Sequence, residues 1–132
     1  MKLFVEKIFK SSSSKIPRKV RESFAKLFNN AKNPEWNDKQ DHWEAIFYQD
    51  SHECIALFDL EGNLLERKTS INLTSVPQLI FEKVKLMGEM MNCIKITDGI
   101  ISSYEIIYRD KDLKRHLVVF DSEGNLKIKK IL

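Results

Sequence analysis

Two kinds of hydrophobic spacing alternate along the chain. Val20, Phe24, Leu27 and Phe28 recur at helical spacing between Lys19, Arg21, Glu22 and Lys26, which predicts an amphipathic helix with one buried side. Val76, Ile80, Val84 and Met87 form a second such stripe, widened by Leu79 and Leu86. Pro17 and Pro77 suit a first helical turn, where the N–H that proline lacks would have no intrahelical partner anyway. Ser75 and Gln78 read as a capping box, and Gly88 suits the end of the second helix.

After each stripe the period drops to two. Trp43, Ala45 and Phe47 alternate with Glu44, Ile46 and Tyr48; Tyr104, Ile106 and Tyr108 alternate with Glu105, Ile107 and Arg109. This alternation predicts strands with two unlike faces. Cys54 to Phe58 and Leu117 to Phe120 are apolar on both faces, as in central strands. Gln49-Asp50-Ser51 and Asp110-Lys111-Asp112 carry turn chemistry between them. Short runs near Glu35–Asn37 and Ile94–Thr97 can each supply one strand more.

The halves also echo one another. Ile16-Pro17 returns as Val76-Pro77, and Phe58-Asp59-Leu60-Glu61-Gly62-Asn63-Leu64 returns as Phe120-Asp121-Ser122-Glu123-Gly124-Asn125-Leu126. A period of about sixty residues marks one supersecondary unit used twice. The expected fold is therefore two-layer α+β. It is a tandem repeat of a helix followed by antiparallel strands, with the helices packed on one face of the sheet. The repeats would span about 16–70 and 76–132 of a single domain, 16–132, after a basic N-terminal segment and Ser-rich link over 1–15. Parity puts Trp43, Ala45, Phe47, Tyr104, Ile106 and Tyr108 on one face. Glu44, Ile46, Tyr48, Glu105, Ile107 and Arg109 fall on the other, more polar face, which is expected to be the uncovered one.

Charge changes this picture only at one end. Residues 1–32 hold nine Lys and Arg against Glu6 and Glu22, leaving thirteen basic and seventeen acidic residues in the rest of the chain. Lys7, Lys10, Lys15, Arg18, Lys19 and Arg21, with Lys127, Lys129 and Lys130, are the candidates for a nucleic-acid patch. No reading motif accompanies them, so they are taken as solvated faces and no nucleic-acid partner is expected. Phe4, Val5, Ile8 and Phe9 fit one side of a short amphipathic helix. No run reaches the roughly 20 apolar residues of a membrane span. Glu6 and Lys7 interrupt the about 7–15 apolar residues that an export signal needs, so a cytoplasmic location is expected by sequence. The cysteines, Cys54 and Cys93, are expected as free buried thiols.

Candidate chemistry is sparse. Asp59-Leu60-Glu61-Gly62-Asn63 and Asp121-Ser122-Glu123-Gly124-Asn125 resemble calcium loops superficially but lack the spaced ligands and distal Glu. They read instead as hairpin turns, with Gly at positive φ and Asp bonding the turn backbone. His42, His52 and His116 show no metal-ligand spacing. No GxSxG, P-loop or dinucleotide fingerprint occurs. No catalytic residue, metal or cofactor is expected, and the chain is read as not an enzyme. Trp36 and Trp43 are read as core anchors.

The runs Ala31-Lys32-Asn33-Pro34-Glu35-Trp36-Asn37, Trp43-Glu44-Ala45-Ile46-Phe47 and Phe58-Asp59-Leu60-Glu61-Gly62-Asn63-Leu64-Leu65 resemble the small bacterial PepSY-like, beta-lactamase-inhibitor-like proteins. The resemblance covers roughly residues 16–132. It implies tandem units of the beta-lactamase-inhibitor-protein type, in which an open sheet surface grips an enzyme, and it implies a periplasmic location as the alternative. Together with the duplicated strands, it leads to the expectation of a non-catalytic protein- or peptide-binding module, inhibitor-like in mode, whose partner is of unknown identity. Its contacts are expected from Tyr48, Ile46, Glu44, Glu105, Ile107 and Arg109. The alternative is a small-ligand carrier or sensor with a pocket between helices and sheet, lined by Met87, Phe24 and Trp43.

Overall fold

The computed structural model describes residues 15–132; the Ser-rich link and the Phe4, Val5, Ile8 and Phe9 stripe lie outside them. Two compact units divide the chain, one ending at Arg67 and the other covering Lys68–Leu132. The first holds helix α1 (Arg18–Leu27) and strands β1 (Lys32–Asp38), β2 (His42–Gln49) and β3 (His52–Asp59). Strand β4 (Leu64–Ile71) crosses the division. The second unit continues through a 3-10 turn (Leu73–Ser75), helix α2 (Gln78–Lys85), and strands β5 (Glu89–Asp98), β6 (Ile101–Arg109), β7 (Arg115–Asp121) and β8 (Leu126–Ile131).

The expected α+β tandem repeat, with helices layered on one face, is overturned. The chain is mainly β: eight strands stand in one sheet in chain order, and the pairs β1–β2, β2–β3, β5–β6, β6–β7 and β7–β8 are antiparallel. The two α-helices among the described residues have only 10 and 8 residues and bury two side chains each, Val20 with Phe24 and Ile80 with Val84. Helical spacing in the sequence overstated them, because Leu27, Leu79 and Leu86 extend the stripes yet stay exposed. The expected capping box is not formed either. Ser75 closes the 3-10 turn, Pro77 holds the N-cap place without a side-chain cap, and the Gln78 amide donates to Glu82 one turn along.

Each unit has its own core. In the first, Ile16, Val20, Phe24 and Phe28 are buried with Trp36, Trp43, Ala45, Phe47, Cys54, Ala56 and Phe58. The strand members alternate, as a pleated strand with one buried face requires. In the second, Val76, Ile80 and Val84 are buried with Cys93, Ile106, Tyr108, Val118 and Phe120. Both cysteines are buried, and neither is in a disulfide. Burial, then the nearby Glu105 carboxylate, push the Cys93 thiol up to about 12, which leaves it unreactive at neutral pH.

The turns follow the residues that build them. Asp50 and Ser51 connect β2 to β3 with φ of 52° and 67°, the positive pair that a two-residue hairpin of matching twist demands. Asp59 accepts the backbone N–H of Glu61 and Asn63, and Asp121 those of Glu123 and Asn125. These carboxylates bind their own turn backbone, which is the hairpin chemistry read from the sequence.

Candidate binding surface

Register places the expected contact residues in two separate groups. In the first unit, Glu44, Ile46 and Tyr48 pair with Leu57, Ile55 and Glu53 of β3, on the face turned away from the buried cluster. That face is not simply open. Ile46 is only 7% exposed, although it lies outside the core cluster. It sits between Glu35 of β1 and Ile55 of β3, whose side chains flank it on both sides. Glu44 accepts a 2.8 Å hydrogen bond from the Asn37 amide. Tyr48 is 39% exposed and borders a polar cleft with Asn30, Lys32, Asn33, Asp50 and Ser51. Of this group, Tyr48 alone is both exposed and large enough to anchor a contact.

The second unit offers a broader surface. Across β5, β6, β7 and β8, Ile94, Glu105, Val119 and Ile128 stand in one register row. Ile107 and Leu117 stand together in the adjacent row, with Asn92 and Lys130 at its ends. These positions alternate with the buried Cys93, Ile106 and Val118, so they share the opposite face. None of the five apolar residues in these rows belongs to the core cluster and none is buried; Ile128 is 51% exposed. Basic groups border the patch at Lys130 and at the facing pair Arg109 and Arg115. The Arg109 guanidinium is held by Glu89, its partner across the β5–β6 pair, at 2.6 Å. Arg109 is thus already committed, and Arg115 carries the uncompensated charge at that end among the ion pairs of the described residues.

Sequence reasoning missed a polar cluster beside this unit's core. The Tyr108 and His116 rings stack at 4.8 Å and 6°, and His116 Nε2 lies 2.8 Å from Asp110 Oδ2. The other oxygen of Asp110 accepts the backbone N–H of Asp112 and Lys114. His116 Nδ1 is buried without a partner. The sequence carried no signal for it: a three-residue Asp110–Asp112 turn would set Tyr108 opposite Lys114, and it is the five-residue connection between Arg109 and Arg115 that sets it opposite His116. The cluster ties the start of β7 to the turn that precedes it. Next to it, Lys85, Met87, Gly88, Glu89, Asp110 and Leu113 line part of an open cleft of about 610 Å³. Met87 borders this cleft, whereas Phe24 and Trp43 are packed in the first core.

The turn aspartates set a pH dependence. The hydrogen bond from the Asn63 side chain, then those from the backbone, hold the Asp59 carboxyl below its ordinary value. For Asp110 the His116 contact comes first, and for Asp121 the Asn125 backbone N–H. A lowered folded-state pKa stabilises the fold above the unfolded value of about 3.9, and that stabilisation is lost as pH falls through the folded value. Replacing all three by Asn should lower Tm at pH 7 and flatten its decline from about pH 5 to pH 2. Thermal melts across that range decide it; parallel declines in both proteins would clear these turns of acid sensitivity.

No protein-family model matches the chain, and no curated protein matches it. Solved structures do. The chain is similar to a candidate periplasmic protein from Bacteroides eggerthii, with a TM-score of 0.79 and 15% identity over 87% of this chain and 88% of that one. A DUF2874 family protein from Bacteroides uniformis aligns with a TM-score of 0.78 and 15% identity, over 87% and 88%. A BLIP-like protein from Bacteroides fragilis aligns with a TM-score of 0.74 and 18% identity, over 88% and 86%. At these identities the likeness is one of fold, and the fold is BLIP-like.

Proposed function

We propose that this protein is a non-catalytic module that binds another protein, inhibitor-like in mode, through the uncovered face of β5–β8. The observation that carries the reading is the contiguous patch of Ile94, Ile107, Leu117, Val119 and Ile128, apolar yet outside any core. Contiguous apolar surface rimmed by charge is the mark of an interaction site. Ile107 and Glu105 remain contacts in this reading, while Arg109 positions Glu89 at the rim and Ile46 supports its own strand. Tyr48 belongs to a separate polar cleft. The BLIP-like fold and the motif resemblance to PepSY-like proteins support the same class. The periplasmic alternative is part of the proposal, supported by the description of one structural neighbour, and cell fractionation tests it.

The partner is to be identified by photo-crosslinking from position 107 or 128 in the native host. Its affinity is then measured for the wild type and for the Ile107→Glu, Leu117→Glu double variant. Truncating a central apolar anchor commonly costs about 2 kcal/mol, roughly a thirty-fold weaker Kd. At these partly buried strand positions, outside the core cluster, the fold itself should lose about 1 kcal/mol per site. Equal affinity in the double variant, or crosslinks that arise equally from the exposed Ile100 hairpin tip, would sink this surface.

A further inference from the structure

We infer that the outer edge of β8 is a docking site for an extended acidic peptide, which it takes up as an added antiparallel or parallel strand. The two ends of the sheet are built differently. At the β1 end, Pro34 lacks an N–H, Asn33 has a positive φ, and the pairing register shifts between Lys32 and Glu35. Proline and bulges are the devices that close an edge to further strands. The β8 end carries less protection: Leu126–Ile131 contains no proline, every residue in it is exposed, and its one register shift lies at Lys127, near its start, which leaves Ile128–Ile131 in regular register. Among the described residues, no strand lies beyond it.

The hydrogen-bond phase identifies the groups on offer. Leu132 N–H donates to the Arg115 carbonyl, and Ile131 is registered with His116. In an antiparallel pair alternate residues bond across. Lys130 and Ile128 therefore turn their backbone groups to β7, whereas Lys129 and Ile131 turn theirs outward. Two N–H and C=O pairs about one strand repeat apart are what an incoming strand needs.

Charge selects the occupant. Lys127, Lys129 and Lys130 lie on this strand with no acidic residue among them; Lys127 is 3.6 Å from Asp121, which leaves Lys129 and Lys130 beside the outward backbone groups. A second copy of β8 would set lysine against lysine, and like charges placed opposite each other destabilise a strand pair. An acidic strand meets the same lysines favourably. The lysines thus exclude self-association and admit a partner of opposite sign. This edge is distinct from the apolar sheet face, and neither reading requires the other.

The test uses the full chain and a capped peptide of about eight residues alternating Glu and Val, long enough for one strand. Titration followed by amide NMR should shift and protect the Lys129 and Ile131 N–H groups. The Lys129→Pro variant removes an outward donor and no bond to β7, and should bind at least tenfold more weakly. The same peptide N-methylated at alternate residues should lose binding to the wild type in like measure, a control that stands even where the proline variant folds poorly. A Lys-Val peptide of the same length should not bind. Unshifted Lys129 and Ile131 amides, or undiminished binding of the N-methylated peptide, would overturn the inference.

Discussion

Phe24→Ala is expected to cost about 3–5 kcal/mol, the largest loss from any single truncation of the first core. Phe24 is the one helical side chain that touches rings from the C-terminal loop of α1 and from three strands. Its centroid lies 5.6 Å from Phe28, 5.0 Å from Trp36, 5.1 Å from Phe47 and 6.4 Å from Phe58. The last three contacts are edge-on, an arrangement worth about 0.5–1.5 kcal/mol per pair beyond burial alone. Removing the ring leaves a hole whose walls are themselves rigid aromatics, so the site cannot collapse to refill it. Against a total stability of about 5–15 kcal/mol, such a loss threatens folding of the whole unit. Denaturant melts of Phe24→Ala and Phe24→Leu measure it. The Leu variant should recover part of the loss, and a cost below about 1 kcal/mol for the Ala variant would show that the ring cluster is not what holds α1 to the strands.

That cluster was legible in the sequence because its signals are local. Trp43, Ala45 and Phe47 alternate with polar neighbours, and Val20 and Phe24 stand one helical turn apart; all five are buried together. The turns were legible for the same reason, since Asp59 with Gly62 and Asp121 with Gly124 complete their hydrogen bonds within five residues. What the sequence misjudged depends on partners distant along the chain. Periodicity counts Leu79 and Leu86 as helix core, but nothing in a stripe says where the neighbouring strand ends, and both side chains are exposed. The same over-reading of helix produced an α+β expectation for a chain that is mainly sheet. Parity placed Ile46 on the right face and still misjudged its exposure, because burial there is set by Glu35 and Ile55 on the adjacent strands. Arg109 looked free until β5 brought Glu89 opposite it. Ile107 and Glu105, by contrast, stand between Asn92 and Leu117 and between Ile94 and Val119, none of which belongs to the core cluster.

Gly62→Ala and Gly124→Ala should separate two costs that usually come mixed. Both glycines close the same kind of Asp-led hairpin turn, with φ of +90° and +88°. Any L side chain pays a similar conformational penalty at either, on the order of 1–3 kcal/mol. Their surroundings differ. A Cβ at Gly62 would stand 2.6 Å from the Lys19 carbonyl oxygen and 2.9 Å from its carbon, which is helix backbone and cannot yield without displacing α1. A Cβ at Gly124 would meet Leu79 Cδ2 at 2.7 Å, the tip of an exposed side chain that is 55% accessible and can rotate away. Gly62→Ala is therefore expected to lose about 1–3 kcal/mol more than Gly124→Ala, the cost of forcing apart a packed contact. Paired denaturant melts give the difference directly, with backbone strain common to both and cancelling. Equal losses would mean that α1 shifts freely on the β3–β4 turn, and the first core would then owe its position to the aromatic rings alone.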